Sequence, residues 1–185
     1  MKTSYVFLAD GFEEIEALTS VDIMRRAGMD VVTVSINDTV AVTGAHGIKV
    51  EADEVFADEK RYLGAEWLVL PGGMPGATNL ASYGELTQLL CVQNENCGKI
   101  AAICASPAVV LAPLGLLNGK RGVCYPGFDD MMDGCDVQSV PVVVDGNVVT
   151  GNGPAAAGAF ALQIVAISMG EDVAKGVSDG MLLTK

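Results

Sequence analysis

Short apolar runs separated by segments of helical period are the feature that most constrains this chain. Four such runs predict β-strands, at residues 5–8, 31–34, 67–70 and 100–103. Strands that are apolar at nearly every position are typical of parallel sheets whose two faces are both covered by helices. The sequence therefore predicts an α/β fold.

The segments between these strands predict helices. The first has acidic residues in its opening turn and two arginines in its last, which suits the helix dipole, and it stops at Gly28. The expected helices run from about Glu13 to Ala27, from about Glu85 to Gln93, onward from Pro107, and from about Ala155 to Met169, the last ending at Gly170. Two further pairs of apolar runs predict hairpins, 40–42 with 48–50 and 140–144 with 148–150.

Length, composition and charge narrow the class of protein. The chain has 185 residues, half of them hydrophobic, with no linker or repeat, so we expect one domain over residues 1–185. Its formal net charge of −12 opposes binding to nucleic acid or to an anionic membrane surface. No run approaches the roughly 20 apolar residues of a membrane span. Acidic residues interrupt the N-terminal apolar run too early for a signal peptide, and we expect a cytoplasmic protein.

The five cysteines predict neither a disulfide framework nor a structural metal site. Their number is odd, no C-x-x-C spacing occurs, and the chain has a single histidine. No G-x-G-x-x-G motif follows a strand and no phosphate-binding loop is present, so no cofactor is expected. Cys91, Cys97, Cys124 and Cys135 are interpreted as structural.

Three loops follow predicted strands, at residues 10–16, 71–76 and 104–107, and such loops meet at the carboxyl edge of a parallel sheet. The third loop places Cys104 just before a helix, where unpaired N–H groups favour a thiolate. Gly72 and Gly73 would let backbone N–H groups approach a reacting atom, although Pro-Gly-Gly can equally be a simple turn. Glu16 can likewise be read as an ordinary first-turn glutamate. Glu13 and Glu14 are expected to face solvent.

Five motifs occur in order along the chain: Gly11-Phe12-Glu13-Glu14-Ile15-Glu16, Asp22-Ile23-Met24-Arg25-Arg26-Ala27-Gly28, Leu70-Pro71-Gly72-Gly73, Ala101-Ala102-Ile103-Cys104-Ala105-Ser106-Pro107 and Gly153-Pro154. Together they resemble the DJ-1/PfpI family, closest to its DJ-1 branch. The resemblance implies a flavodoxin-like (Rossmann-like) parallel sheet sandwiched by helices, with a small β-hairpin, and a homodimer. It also implies that Cys104 is the nucleophile, that Glu16 is its carboxyl partner, and that Gly73 and Ala105 supply backbone N–H groups near the thiol.

The chain departs from the family pattern at two positions. Protease-like members have a histidine directly after the cysteine, where this chain has Ala105, and many DJ-1-like members have a histidine where this chain has Tyr125. Proteolysis is therefore disfavoured. The single histidine, His46, is expected either as a surface residue or as a proton carrier that reaches a neighbouring subunit. Tyr125 and Asn152 could donate hydrogen bonds in the pocket or merely pack there.

Three functions remain open at this point. Cys104 could attack small reactive carbonyls in a glyoxalase or deglycase reaction, with Glu16 moving the proton. It could instead serve as a redox sensor that oxidises to a sulfinate held by Glu16. The fold could also have been kept as a binding module without chemistry. The expected partners are a small-molecule substrate or an oxidant.

Overall fold

A computed structural model describes residues 2–183 and places eleven strands and five α-helices in this range. The strands are β1 Ser4–Leu8, β2 Val31–Ser35, β3 Ala41–Thr43, β4 Lys49–Glu51, β5 Glu54–Val55, β6 Trp67–Leu70, β7 Lys99–Ile103, β8 Arg121–Gly122, β9 Asp136–Val137, β10 Val142–Asp145 and β11 Val148–Gly151. The helices are α1 Glu14–Arg26, α2 Gly76–Ser82, α3 Gly84–Glu95, α4 Ala157–Met169 and α5 Glu171–Met181. A π-helical turn covers Pro107–Leu111.

A seven-stranded sheet forms the centre of the molecule, with the strand order β10-β11-β7-β6-β1-β2-β5. Its pairs are parallel except β10 with β11, which form an antiparallel hairpin at one edge. A second hairpin, β3 with β4, lies outside the sheet. The predicted α/β fold, with its parallel sheet and small hairpins, is confirmed.

Both faces of the sheet are buried, which explains why its strands are apolar at successive positions. Neighbouring residues of a strand point to opposite faces. Val6, Leu8 and Val69 pack with α1 and α4, whereas Phe7 and Leu68 pack in a second core with α2 and α3. The two cores hold the sheet between two helical layers.

The helices differ from the expectation in three places. The π-helical turn after Pro107 is short because Pro113 and Gly115 follow it. Helix α2 was not predicted, since the Gly-Ala-Thr-Asn sequence at its start has weak helical preference. Nor was α5, because Gly170, at φ 93°, ends α4 and the chain then starts a new helix directly.

The longest helices, α1 and α4, each have 13 residues. Within residues 2–183 no helix has both the length and the apolar character that crossing a membrane requires.

Candidate active site

Cys104 lies on a sharp turn directly after β7. Its φ of 65° falls in the left-handed region, which is strained for a residue with a side chain. Two backbone hydrogen bonds hold this conformation: the Cys104 N–H donates to the Gly151 carbonyl at 2.9 Å, and the Cys104 carbonyl accepts from the Tyr125 N–H at 2.8 Å. The thiol is thereby fixed at the carboxyl edge of the sheet, with 8% of the residue exposed.

Glu16 projects from the first turn of α1 and is fully buried. Its Oε2 accepts a hydrogen bond from the Gly72 N–H at 2.8 Å, whereas its Oε1 has no hydrogen-bond partner in the described part of the chain. The turn itself is fixed by Glu13, whose Oε2 accepts from the Glu16 N–H at 2.8 Å. An N-terminal cap of this kind satisfies a helical donor that would otherwise be unpaired.

Gly72 brings the thiol and the carboxyl together. A Cβ atom at this position would lie 2.5 Å from the Cys104 Cβ and 2.8 Å from the Glu16 Oε2, so a larger residue would force the two apart. The β6–β7 register pairs Leu70 with Ala102, and the two strands therefore deliver Gly72 and Cys104 to the same level of the sheet edge.

The three loops that follow strands meet, as their positions in the sequence suggest. The Glu13 N–H donates to the Gly72 carbonyl at 2.9 Å, and the Gly76 N–H donates to the Gly11 carbonyl at 3.1 Å. The Ser106 hydroxyl donates to the Pro71 carbonyl and links the cysteine turn to the Pro-Gly-Gly loop. These contacts join all three loops into one site.

The backbone N–H groups of Gly73 and Ala105 interact with the Cys104 sulfur and lower the pKa of the thiol. If the sulfur attacks a carbonyl carbon, the same two N–H groups could stabilise the negative charge that develops on the carbonyl oxygen. Both positions were named from the sequence.

Electrostatically, Cys104 and Glu16 form a pair of groups that both resist ionisation. Burial raises the pKa of Glu16 to about 7, against the lowering effects of the Gly72 hydrogen bond and of the adjacent Cys104 thiol. Burial also raises the pKa of Cys104 to about 12, and the negative charge of Glu16 adds to this effect. The expectation of a thiolate favoured by the helix start is therefore wrong while Glu16 is charged, because burial and the carboxylate outweigh the N–H groups. Such a thiol needs a base to react.

Tyr125 and Asn152 lie beside the site without a side-chain hydrogen bond to it in the described residues. Tyr125 is exposed; its ring packs against Gly153 and makes an edge-on contact with Phe128 at 6.4 Å between centroids. The half-buried Asn152 lines a different surface cavity together with Cys124. Of the two roles expected for Tyr125, packing agrees with the structure better than hydrogen bonding does.

His46 is brought to Glu14 rather than to Cys104. Its Nδ1 lies 2.7 Å from the Glu14 Oε2, and its side chain is 69% exposed. This hydrogen bond raises the pKa of His46. The expectation that Glu13 and Glu14 face solvent is wrong: they are 6% and 4% exposed, because the loop of residues 44–48 folds over them.

Within residues 2–183, one group of side chains could hold a metal ion, and it consists of Glu13, Glu14 and His46. Sequence spacing gave no sign of it, since metal-site patterns rely on ligands close together in the chain and His46 lies 32 residues after Glu14. The remaining cysteines are free, and burial raises the pKa of Cys124 to about 11.

The raised pKa of Glu16 predicts a pH-dependent stability. The folded protein holds this proton up to about pH 7, whereas an unfolded chain releases it near the ordinary value of 4.5. The contribution is therefore fully present below pH 4.5 and is lost as the pH rises through about 7. Relative to Glu16→Gln, the wild-type free energy of unfolding should fall by on the order of 3 kcal/mol across this range.

Urea denaturation at a series of pH values measures this difference. Glu51→Gln, at an exposed position of β4, serves as the matched control and should follow the wild-type curve. If the wild type and Glu16→Gln gave parallel curves, Glu16 would ionise as an ordinary glutamate.

Comparisons with known proteins agree on one family. A family model described as DJ-1/PfpI family matches residues 2–167. Protein DJ-1 homolog B of Arabidopsis thaliana is 36% identical over 178 residues, and the match covers 95% of this chain but 40% of that protein. The Caenorhabditis elegans protein named glutathione-independent glyoxalase DJR-1.2 is 32% identical over 175 residues, covering 94% of this chain and 91% of that one.

Among solved structures, that of oxidized Toxoplasma gondii DJ-1 matches with a TM-score of 0.92 and 36% sequence identity over 98% of both chains. The match to the family model extends over most of this chain and includes every loop of the candidate site. The chain therefore belongs to the DJ-1/PfpI family.

Proposed function

We propose that this protein is an enzyme that converts small reactive carbonyls, of the glyoxalase or deglycase type, with Cys104 as nucleophile. The observation that carries the proposal is the buried carboxyl of Glu16 beside the thiol, with a pKa of about 7. A base is most effective when its pKa lies near the working pH. The glyoxalase name of the C. elegans relative supports the same reaction class.

The first step joins thiol and substrate, for which methylglyoxal is the simplest example. The Glu16 carboxylate takes the Cys104 proton as Sγ attacks the aldehyde carbon, and the C=O electron pair moves to the oxygen. The Gly73 and Ala105 N–H groups stabilise that oxyanion. Glu16 then returns this proton to the oxygen, which gives a hemithioacetal and restores the Glu16 carboxylate.

The second step moves hydrogen between the two carbons of the bound substrate. The Glu16 carboxylate removes the proton from the former aldehyde carbon, an enediol forms, and protonation of the neighbouring carbon gives a thioester of lactate. One carbon is oxidised by two electrons and its neighbour is reduced by two, so no external oxidant is needed. Water then cleaves the thioester, releasing lactate and the free thiol.

Lactate formation from methylglyoxal tests this proposal. Cys104→Ser should abolish turnover, and Glu16→Gln should reduce it by about 10²–10⁴-fold because the base is lost. Cys97→Ser, at an exposed cysteine, is the matched control and should retain wild-type activity. Lactate production that is equal in the wild type and Cys104→Ser would exclude the mechanism.

A redox role for Cys104 is the second candidate, favoured by the oxidized state named for the Toxoplasma gondii DJ-1 structure. Two molecules of hydrogen peroxide would convert the thiol to a sulfinate and release two of water, and a protonated Glu16 could donate a hydrogen bond to the product. If no lactate forms, and dilute peroxide adds two oxygens to the Cys104 peptide before the other cysteine peptides, this role replaces the enzymatic one.

Proteolysis remains disfavoured, since His46 is paired with Glu14 and no histidine lies beside Cys104 in the described residues.

We also propose that the protein works in the cytoplasm, where a reducing environment keeps cysteines such as these five as thiols.

We further propose a homodimer formed through α1. Ile15 and Leu18 are 57% and 42% exposed on this helix, beside an apolar cavity lined in part by Pro154, Leu162 and Leu183. Exposed apolar groups that cluster in this way mark interaction surfaces. A second copy of the chain would bury them.

Sedimentation at micromolar concentration tests this assembly. The wild type should sediment as a dimer, and Ile15→Glu should produce a monomer because a charge would be buried without a partner. Met131→Glu, at an exposed apolar residue outside the α1 surface, should remain dimeric. A wild-type mass equal to one chain would contradict the proposal.

A further inference from the structure

We propose that Glu13, Glu14 and His46 form a binding site for a divalent transition-metal ion of the Zn²⁺ type, separate from the Cys104 pocket. Their ligand atoms lie within 4.8 Å of one another. They come from two segments, the start of α1 and the loop of residues 44–48, so the fold alone brings them together.

Backbone contacts leave one atom of each carboxylate facing the histidine. Glu13 uses Oε2 to cap α1, and Glu14 uses Oε1 to accept from the His46 N–H at 2.8 Å. The remaining oxygens, Glu13 Oε1 and Glu14 Oε2, lie 4.0 Å and 2.7 Å from the His46 Nδ1. Ligands that each bind an ion at about 2.0–2.2 Å are separated by similar distances, so small side-chain adjustments would complete the site.

Charge and burial favour a cation between the two carboxylates, where His46 is the one basic group within 4.0 Å in the described residues. Two carboxylates more than nine-tenths buried face a single imidazole that is itself largely exposed. Glu13 Oε1 accepts no hydrogen bond from any described residue, and its nearest cationic group is His46 at 4.0 Å. Buried carboxylate oxygens are normally paired, hydrogen-bonded or coordinated to a metal. An ion between the three side chains would bring a positive charge closer to Glu13 Oε1 than the 4.0 Å contact with His46 does.

The donor atoms select the class of ion. One imidazole nitrogen with two carboxylate oxygens suits Zn²⁺ and its transition-metal neighbours, whereas Mg²⁺ and Ca²⁺ prefer oxygen ligands throughout. Three protein ligands leave a fourth position for water. Gly44 allows the loop to approach: a Cβ there would lie 2.3 Å from the Glu14 Oε1.

The site adjoins Glu16 and Cys104 but shares no ligand with them. The Glu13 N–H donates to the Gly72 carbonyl at 2.9 Å, and the Gly72 N–H donates to Glu16, so a single residue, Gly72, links the two sites. The inference goes beyond the carbonyl reaction and does not depend on it, because binding can be measured without turnover.

The single histidine makes a direct experiment possible. Zn²⁺ is titrated into the Cys104→Ser protein, which removes the neighbouring thiol, and the imidazole resonances of His46 are followed by NMR. We expect these resonances to shift with 1:1 saturation. Glu13→Gln should weaken the apparent affinity at least about tenfold, whereas Glu51→Gln, the exposed control, should not change it.

A second measurement separates this site from the cysteines. Co²⁺ bound to nitrogen and oxygen lacks the intense thiolate charge-transfer absorption, and His46→Gln should abolish its binding while leaving the fold intact, because the side chain is on the surface. Histidine resonances that do not move at millimolar Zn²⁺ would overturn the proposal. So would an affinity unchanged by Glu13→Gln, or Co²⁺ spectra that show thiolate ligation and persist in His46→Gln.

Discussion

The hydrogen bond from the Gly72 N–H to the Glu16 Oε2 is the contact on which the site depends. It ties the first turn of α1 to the loop after β6 and holds a carboxyl group in a fully buried position. Because Gly72 has no side chain, Cys104 can approach from β7 on the other side. The bond itself lowers the pKa of Glu16, but the burial of the carboxyl that it holds in place outweighs this effect and raises the pKa to about 7.

The surrounding fold maintains two unfavourable features. Cys104 has a backbone conformation that costs about 1–3 kcal/mol for a residue of its type, and Glu16 keeps a buried oxygen without a partner. Both lie at the carboxyl edge of a sheet whose two apolar cores, built by residues such as Phe7 and Val69, are buried throughout. Functional sites characteristically contain strained or unpaired groups that a rigid surrounding structure holds in place.

Much of this arrangement could be predicted from local sequence. The apolar strands determine the parallel sheet, and its topology brings Gly72, Glu16 and Cys104 to one edge. What could not be predicted depends on burial and on distant contacts. The sequence shows a helix starting after Cys104, but not that burial and Glu16 would raise the thiol pKa instead of lowering it. Likewise, only the folded loop of residues 44–48 reveals that Glu14 is covered and paired with His46.

The ionisation of Glu16 itself is the most direct test of this account. The carboxyl carbon of Glu16 can be followed by ¹³C NMR across a pH series and assigned by its disappearance in Glu16→Gln. The account predicts a midpoint near pH 7, since burial raises the pKa of this group to about 7. A midpoint at the ordinary value of 4.5 would show that Glu16 is a solvated carboxylate, and the proposed base for Cys104 would then be without support.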